Sequence, residues 1–189
     1  MTTEKFDLVV KFENSSKKGE NGNGNIKIEE IPDELLGIEE IEFALNGKDP
    51  ELYIKESELF NVVLVELGTD SLEAAKQLKK SNPQIISRVV PISKVVKTDL
   101  LEIVNSLKVL ASDKMDPGDN FTFDSFVVTQ KNIESNDILK RVEKELKKFG
   151  MYLDESNPKW KIYVEVIGEN TGLNILKTKT SQICISNSK

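Results

Sequence analysis

Apolar residues recur along this chain in two rhythms, one of period two and one of period three to four, and the switches between them mark its elements. FDLVVKF at 6–12 has the make-up of a strand, and NSSKKGENGNGN at 14–25 follows it with nothing to pack. Its glycines superficially suggest a phosphate loop, but no GK[ST] triplet follows and no helix opens after them, so a mobile loop is expected. Leu35, Leu36, Ile38, Ile41 and Leu45 are spaced as a loosely periodic helix that opens at Pro32-Asp33 and ends at Asn46-Gly47, where glycine suits a left-handed cap. A short strand at 52–55 and the β-branched run FNVVLVEL at 60–67 come next. Asp70, with Glu73 three residues later, predicts a reciprocally capped helix bearing Leu72, Ala75 and Leu78, stopped by Ser81-Asn82-Pro83. Ile85 to Val90 adds a strand. The order strand, helix, strand, strand, helix, strand is the ferredoxin-like split βαβ pattern.

The stretch 85–115 is a junction. Pro91 interrupts the strand-like run, a short segment crosses to Thr98-Asp99, and Leu100, Ile103, Val104, Leu107, Leu110, Ala111 and Met115 then recur at helical spacing. Asp116-Pro117-Gly118-Asp119 turns the chain, FTFDSFVVTQ at 121–130 reads as a strand, and Ser135-Asn136 starts a helix that Gly150 closes. After a short strand at 151–153, Trp160, Ile162, Val164 and Val166 alternate with Lys161, Tyr163 and Glu165. GENTG predicts a hairpin turn, a last strand covers 173–176, and the tail TKTSQICISNSK is polar and expected to fray.

Composition narrows the chemistry. The 189 residues carry 38% hydrophobic and 31% charged side chains, which describes a folded globular chain of one or two domains. No apolar run approaches the ~20 residues of a membrane span, and MTTEKFDLVV lacks the features of a secretory leader. The lone Cys184 fits a reducing compartment, so a cytoplasmic location without a membrane partner is expected. The chain has no histidine, which removes histidine-based nucleophile activation and imidazole zinc sites. No motif gathers the 32 acidic residues, and no cofactor or metal is expected. Charge is unevenly divided: residues 1–84 sum to −8 and residues 85–189 to +2. The overall −6 argues against non-specific DNA binding but leaves room for a local RNA site in the second half.

Two groups of cations are candidates for that site. On the predicted helix 137–149, Ile138, Leu139, Val142, Leu146 and Phe149 gather on one side, and Lys140, Arg141, Lys144, Lys147 and Lys148 on the other. Such a face is either a phosphate-binding stripe or a solvated surface, and the pattern alone favours the second. Arg88, Lys94 and Lys97 at the junction pose the same choice. Trp160 reads as core, and Tyr163, on the opposite face of its strand, is the better candidate for stacking on a base. Cys184 has no activating neighbour in sequence.

VVPISKVVKTDLLEI at 89–103 resembles the opening of a THUMP domain, an RNA-binding module of certain tRNA-modifying enzymes, and NPKWKIYVEVIGENTGLNIL at 157–176 resembles its closing turn, strand and hairpin. GDNFTFDSFVV and SNDILKRVEKELKKFG are similar to its central strand and following helix, and 6–90 is similar to the ferredoxin-like domain that precedes it. The resemblance implies an α/β (α+β) chain: a ferredoxin-like domain at 1–90, a THUMP domain at 91–178 and a polar tail at 179–189. Stand-alone proteins of this layout are similar to the tRNA-acetylation adaptors. That implies a non-catalytic protein holding the acceptor stem and 3′ end of tRNA for a separate cytidine acetyltransferase. The RNA-binding residues so implied are Arg88, Lys94, Lys97, Lys131, Lys140, Arg141 and Lys144. The family carries basic residues along and just after the central strand, where this chain has Asp124, Thr129, Gln130 and Lys131. A scaffold with little RNA binding is the alternative, and the acidic Glu29, Glu30, Glu39, Glu40 and Glu42 are candidates for meeting a basic enzyme.

Overall fold

The computed structural model describes residues 4–13, 32–127 and 135–182. β1 (Leu8–Phe12), α1 (Asp33–Leu45), β2 (Tyr53–Glu56), β3 (Val62–Glu66), α2 (Ser71–Lys80) and β4 (Ile86–Pro91) build a four-stranded sheet of order β2-β3-β1-β4. Every pairing in it is antiparallel, which is the ferredoxin-like arrangement expected from the element order. Asp70 caps α2 by accepting the Glu73 N–H, but the reciprocal bond is replaced by an ion pair of Glu73 with Lys76, so only half of the expected box forms. β5 (Lys94–Lys97), α3 (Leu100–Lys114), β6 (Asn120–Val127), α4 (Ser135–Lys147), β7 (Tyr152–Leu153), β8 (Trp160–Ile167), β9 (Asn170–Lys177) and α5 (Thr178–Ser181) follow. Their sheet has the order β5-β9-β8-β6-β7, with β6 parallel to both β7 and β8. The asparagine-proline turn expected before β8 anchors here as well: Thr178 donates its hydroxyl to the Pro158 carbonyl. α5 forms where fraying was expected, and residues 183–189 lie outside the described residues.

Three cores result from the alternation of side chains across two sheets. Leu8, Val10, Val63, Val65 and Val89 face α1 and α2, packing on Ile41, Leu45, Ala75 and Leu78. Ile162, Val164, Val166, Leu173 and Ile175 face α3 and α4. The opposite faces meet: Phe6, Val9, Val62, Leu64, Val90 and Ile92 of the first sheet pack on Tyr163, Ile167 and Leu176 of the second. β1, β3, β8 and β9 are therefore covered on both sides, which is why FNVVLVEL is a continuous apolar run rather than an alternating one. Gly172 sits on the seam side of β9 rather than in the hairpin turn. A Cβ there would lie 2.8 Å from Phe6 and 2.8 Å from Ile92, so only glycine lets the sheets approach this closely.

Candidate nucleic-acid interface

α4 is positioned by its apolar face. Ile138, Val142 and Leu146 are buried in the core beneath it, with Leu139 half-buried beside them. That burial turns Lys140, Arg141, Lys144, Lys147 and Lys148 to solvent, as the helical spacing predicts. Glu145, at the border of the stripe, accepts from Lys148 at 2.7 Å and lies 3.7 Å from Lys108 of α3. Those lysine contacts, the hydrogen bond from Lys148 foremost, hold the Glu145 carboxyl below its ordinary range. No ion pair among the described residues engages Lys140, Lys144 or Lys147. From Lys140 to Lys147 the face extends about 10 Å, a length that spans roughly three phosphates of one strand.

The junction cations are placed differently. Arg88, on the seam side of β4, is only 17% exposed; its guanidinium donates to Asp124 at 2.8 Å and to Glu165 at 2.7 Å. Lys161 also reaches Asp124, at 3.3 Å. Burial alone would lower the basicity of Arg88, but the charges of Glu165 and Asp124 outweigh it and raise it. Burial likewise pushes the Glu165 carboxyl up, to about 7, against the pull of Arg88. Asp124, which stands where a basic residue was expected for RNA, thus supplies half of the countercharge for Arg88. Arg88, expected to face RNA, is held by a fully buried Glu165 in the contact between the sheets.

Lys94 and Lys97 are exposed on β5, the strand at one edge of the second sheet, whereas α4 packs on β7 at the other edge. At about 4.8 Å per strand the two edges lie some 19 Å apart. Register brings Lys97 nearer to the start of α4: it pairs with Asn170, Asn170 with Ile167, and the neighbouring Val166 with Val127 at the end of β6. Lys94 is about 10 Å further along its strand. There it lines a cleft of about 290 Å³ together with Glu4, Lys5 and Asp7. The stripe is one surface, Lys97 shares a sheet end with it, and Lys94 is remote. Lys131 lies outside the described residues.

Two aromatic expectations resolve in opposite senses. Trp160 is buried and donates its indole N–H to Asp119 at 2.8 Å, as a core residue would. Tyr163 is fully buried in the seam, so it is corrected from a stacking candidate to a structural residue. The alternation had placed it on the outer face of β8, but a second sheet covers that face. The exposed aromatic rings near the stripe are Phe149, beneath which Lys108 sits 5.7 Å from the ring centre, and Tyr152. Of the acidic candidates, Glu40 is already engaged by the backbone N–H groups of Gln84, Ile85 and Ile86; Glu29 and Glu30 lie outside the described residues. Among the described residues no cluster of acidic or sulfur side chains could hold a metal, and no helix is long and apolar enough to cross a membrane.

No protein-family model matches this chain, and no curated protein is similar enough in sequence to match it. Solved structures do match. PH1313 from Pyrococcus horikoshii Ot3 superposes with a TM-score of 0.61 at 16% identity, over 92% of this chain and 55% of that one. TrmN from Thermus thermophilus gives 0.54 at 15% identity, over 89% of this chain and 44% of that one. A 4-thiouridine synthetase, solved as an RNA complex with bound ATP, gives 0.50 at 12% identity, over 92% of this chain and 42% of that one. This chain spans about half the length of these structures or somewhat less. At such identities the likeness is one of fold, and that fold is the mixed α/β arrangement of THUMP-domain proteins, here two sheets laid face to face with helices on their outer sides.

Proposed function

We propose that this protein binds tRNA, through its acceptor stem and 3′ end, as a non-catalytic adaptor for a separate tRNA-modifying enzyme, a cytidine acetyltransferase. The observation that carries the RNA part is the outer face of α4, where Lys140, Arg141, Lys144 and Lys147 stand in solvent without a compensating carboxylate row. A shape-reading grip of this kind suits an RNA end, whose phosphates and unpaired bases are accessible. The fold shared with a synthetase solved as an RNA complex supports the same reading. The adaptor part rests on the family resemblance of the sequence. In this proposal Lys97 and Lys131 add further contacts to RNA, Lys94 contributes weakly, and Arg88 acts by holding the sheets together. The ferredoxin-like part at 1–90 and the THUMP part at 91–178 act together in this proposal, packed across the seam.

Titration of the full chain with intact tRNA and with tRNA lacking its 3′ end tests this. Tighter binding of the intact molecule is expected. Equal binding of both would move the grip away from the 3′ end. Binding of neither would favour a protein-interaction scaffold, a reading that the loss of Arg88 to the seam makes worth separating.

A further inference from the structure

The first sheet carries a feature that RNA binding does not use. Between the start of α1 and the turn joining β2 to β3 lies a groove of about 530 Å³, lined by Leu35, Ile38, Leu59 and Phe60 and by Glu34, Glu56 and Glu58. Phe60 is 78% exposed and Leu35 53% exposed, a large apolar surface to leave in water. The turn that shows Phe60 is built rather than slack. The Ser57 hydroxyl donates to the Val62 carbonyl at 2.7 Å and accepts the Leu59 N–H at 3.1 Å. Asn61 adopts the left-handed conformation, with φ of 57°, and its carbonyl accepts the Phe12 N–H, tying the turn to β1. None of the three glutamates forms an ion pair among the described residues. An apolar floor inside a ring of carboxylates repels a phosphate backbone and attracts the opposite pattern.

We propose that this groove docks a protein segment in which one or two large apolar anchors are flanked by lysine or arginine. The anchors cover Leu35 and Phe60, and the flanking cations meet Glu34, Glu56 and Glu58. The occupant belongs to a partner protein, so the groove supplies the adaptor half of the proposed function and rests on that reading. The α4 stripe lies on the far side of the second sheet from the seam and the groove is built on the first sheet, with Glu58 reaching the β8–β9 turn at Gly168. A partner held here and a tRNA held at α4 would be carried by the same chain, on sheets that pack against each other.

The test uses the full chain and labelled amphipathic peptides: one of leucine and lysine, one of leucine and glutamate, and one of lysine and serine. Saturable binding of the leucine–lysine peptide alone is expected. It should weaken about tenfold in L35S/F60S and comparably in E34Q/E56Q/E58Q. All these positions are at least partly solvent-facing, and unchanged thermal melts would establish that both variants are folded. Binding that neither variant weakens, or equal binding of the glutamate or serine peptide, would overturn the proposal. Binding that emerges only when residues 14–31 are deleted would overturn it in favour of the chain's own segment. A dimer abolished by L35S/F60S would overturn it in favour of a second copy. Measuring tRNA affinity on the same variants separates the two readings: it should be unchanged whether or not the groove binds peptide.

Discussion

The outer face of α4 and the seam between the sheets each concentrate positive charge, and the two put it to opposite uses. On α4 an apolar row beneath the helix fixes its rotation, and four cations are left in water with their hydration and reach intact. In the seam Arg88, Lys11 and Lys161 face Asp124 and Glu165 between two sheets, where water is scarce. A cation in water is available to a phosphate at little desolvation cost. A cation between buried carboxylates is not, because removing it leaves them uncompensated. Type and sequence spacing do not tell the two apart; what lies across from each side chain does.

The sharpest way to break this contrast is to reverse charge on the exposed side. Lys140→Glu, Arg141→Glu and Lys144→Glu together should reduce tRNA affinity about a hundredfold or more while leaving the melting temperature within a few degrees of wild type. In the unaltered chain, affinity should fall with salt at a logarithmic slope of roughly −2 to −3, as about three contacted phosphates require. Filter binding across a salt series reads both, and intact binding in the triple variant would remove α4 from the site. Arg88→Ala should do the reverse. It should cost about 3 kcal/mol of stability by urea unfolding and leave the tRNA affinity of the folded fraction nearly unchanged. A large affinity loss without destabilisation would return Arg88 to the RNA surface.

Smaller effects sharpen the seam itself. Gly172→Ala inserts a methyl against Phe6 and Ile92 and should cost about 2 kcal/mol, read from the same unfolding curves. Glu165 predicts a pH dependence of definite sign. Its folded value, raised to about 7 by burial, lies above the ordinary 4.5, so the folded chain holds this proton more tightly than the unfolded one. The stability it contributes is complete below pH 4.5 and is lost as pH rises through 7. Glu165→Gln should flatten the stability profile across that window. A wild-type profile that rises between pH 5 and 7, and a variant that follows it, would show that Glu165 is ionised throughout.

Much of the architecture was legible because local rules and tertiary packing agree. Asp70 and Asp99 cap the helices they were expected to cap, and Gly47 adopts positive φ where α1 ends. The spacing of Ile138, Val142 and Leu146 oriented α4 correctly. The misreadings concentrate on one surface. Tyr163 and Glu165 looked outward because β8 alternates, and Gly172 looked like turn because it follows Glu169-Asn170-Thr171. All three face the other sheet. A signal was present in the continuous apolar run at 60–67, which a sheet wet on one side does not need.

Periodicity and capping chemistry are properties of a single element, so the sequence by itself determined most of the helices and strands, β5 and α5 apart, and which side of the longer helices is apolar. Whether two open sheet faces cover each other depends on residues some 80 to 160 positions apart, such as Phe6, Arg88, Glu165 and Gly172. That was decided only in the folded molecule. It set the fate of Arg88, because a charge is free or committed according to its surroundings in space, and no local pattern encodes those.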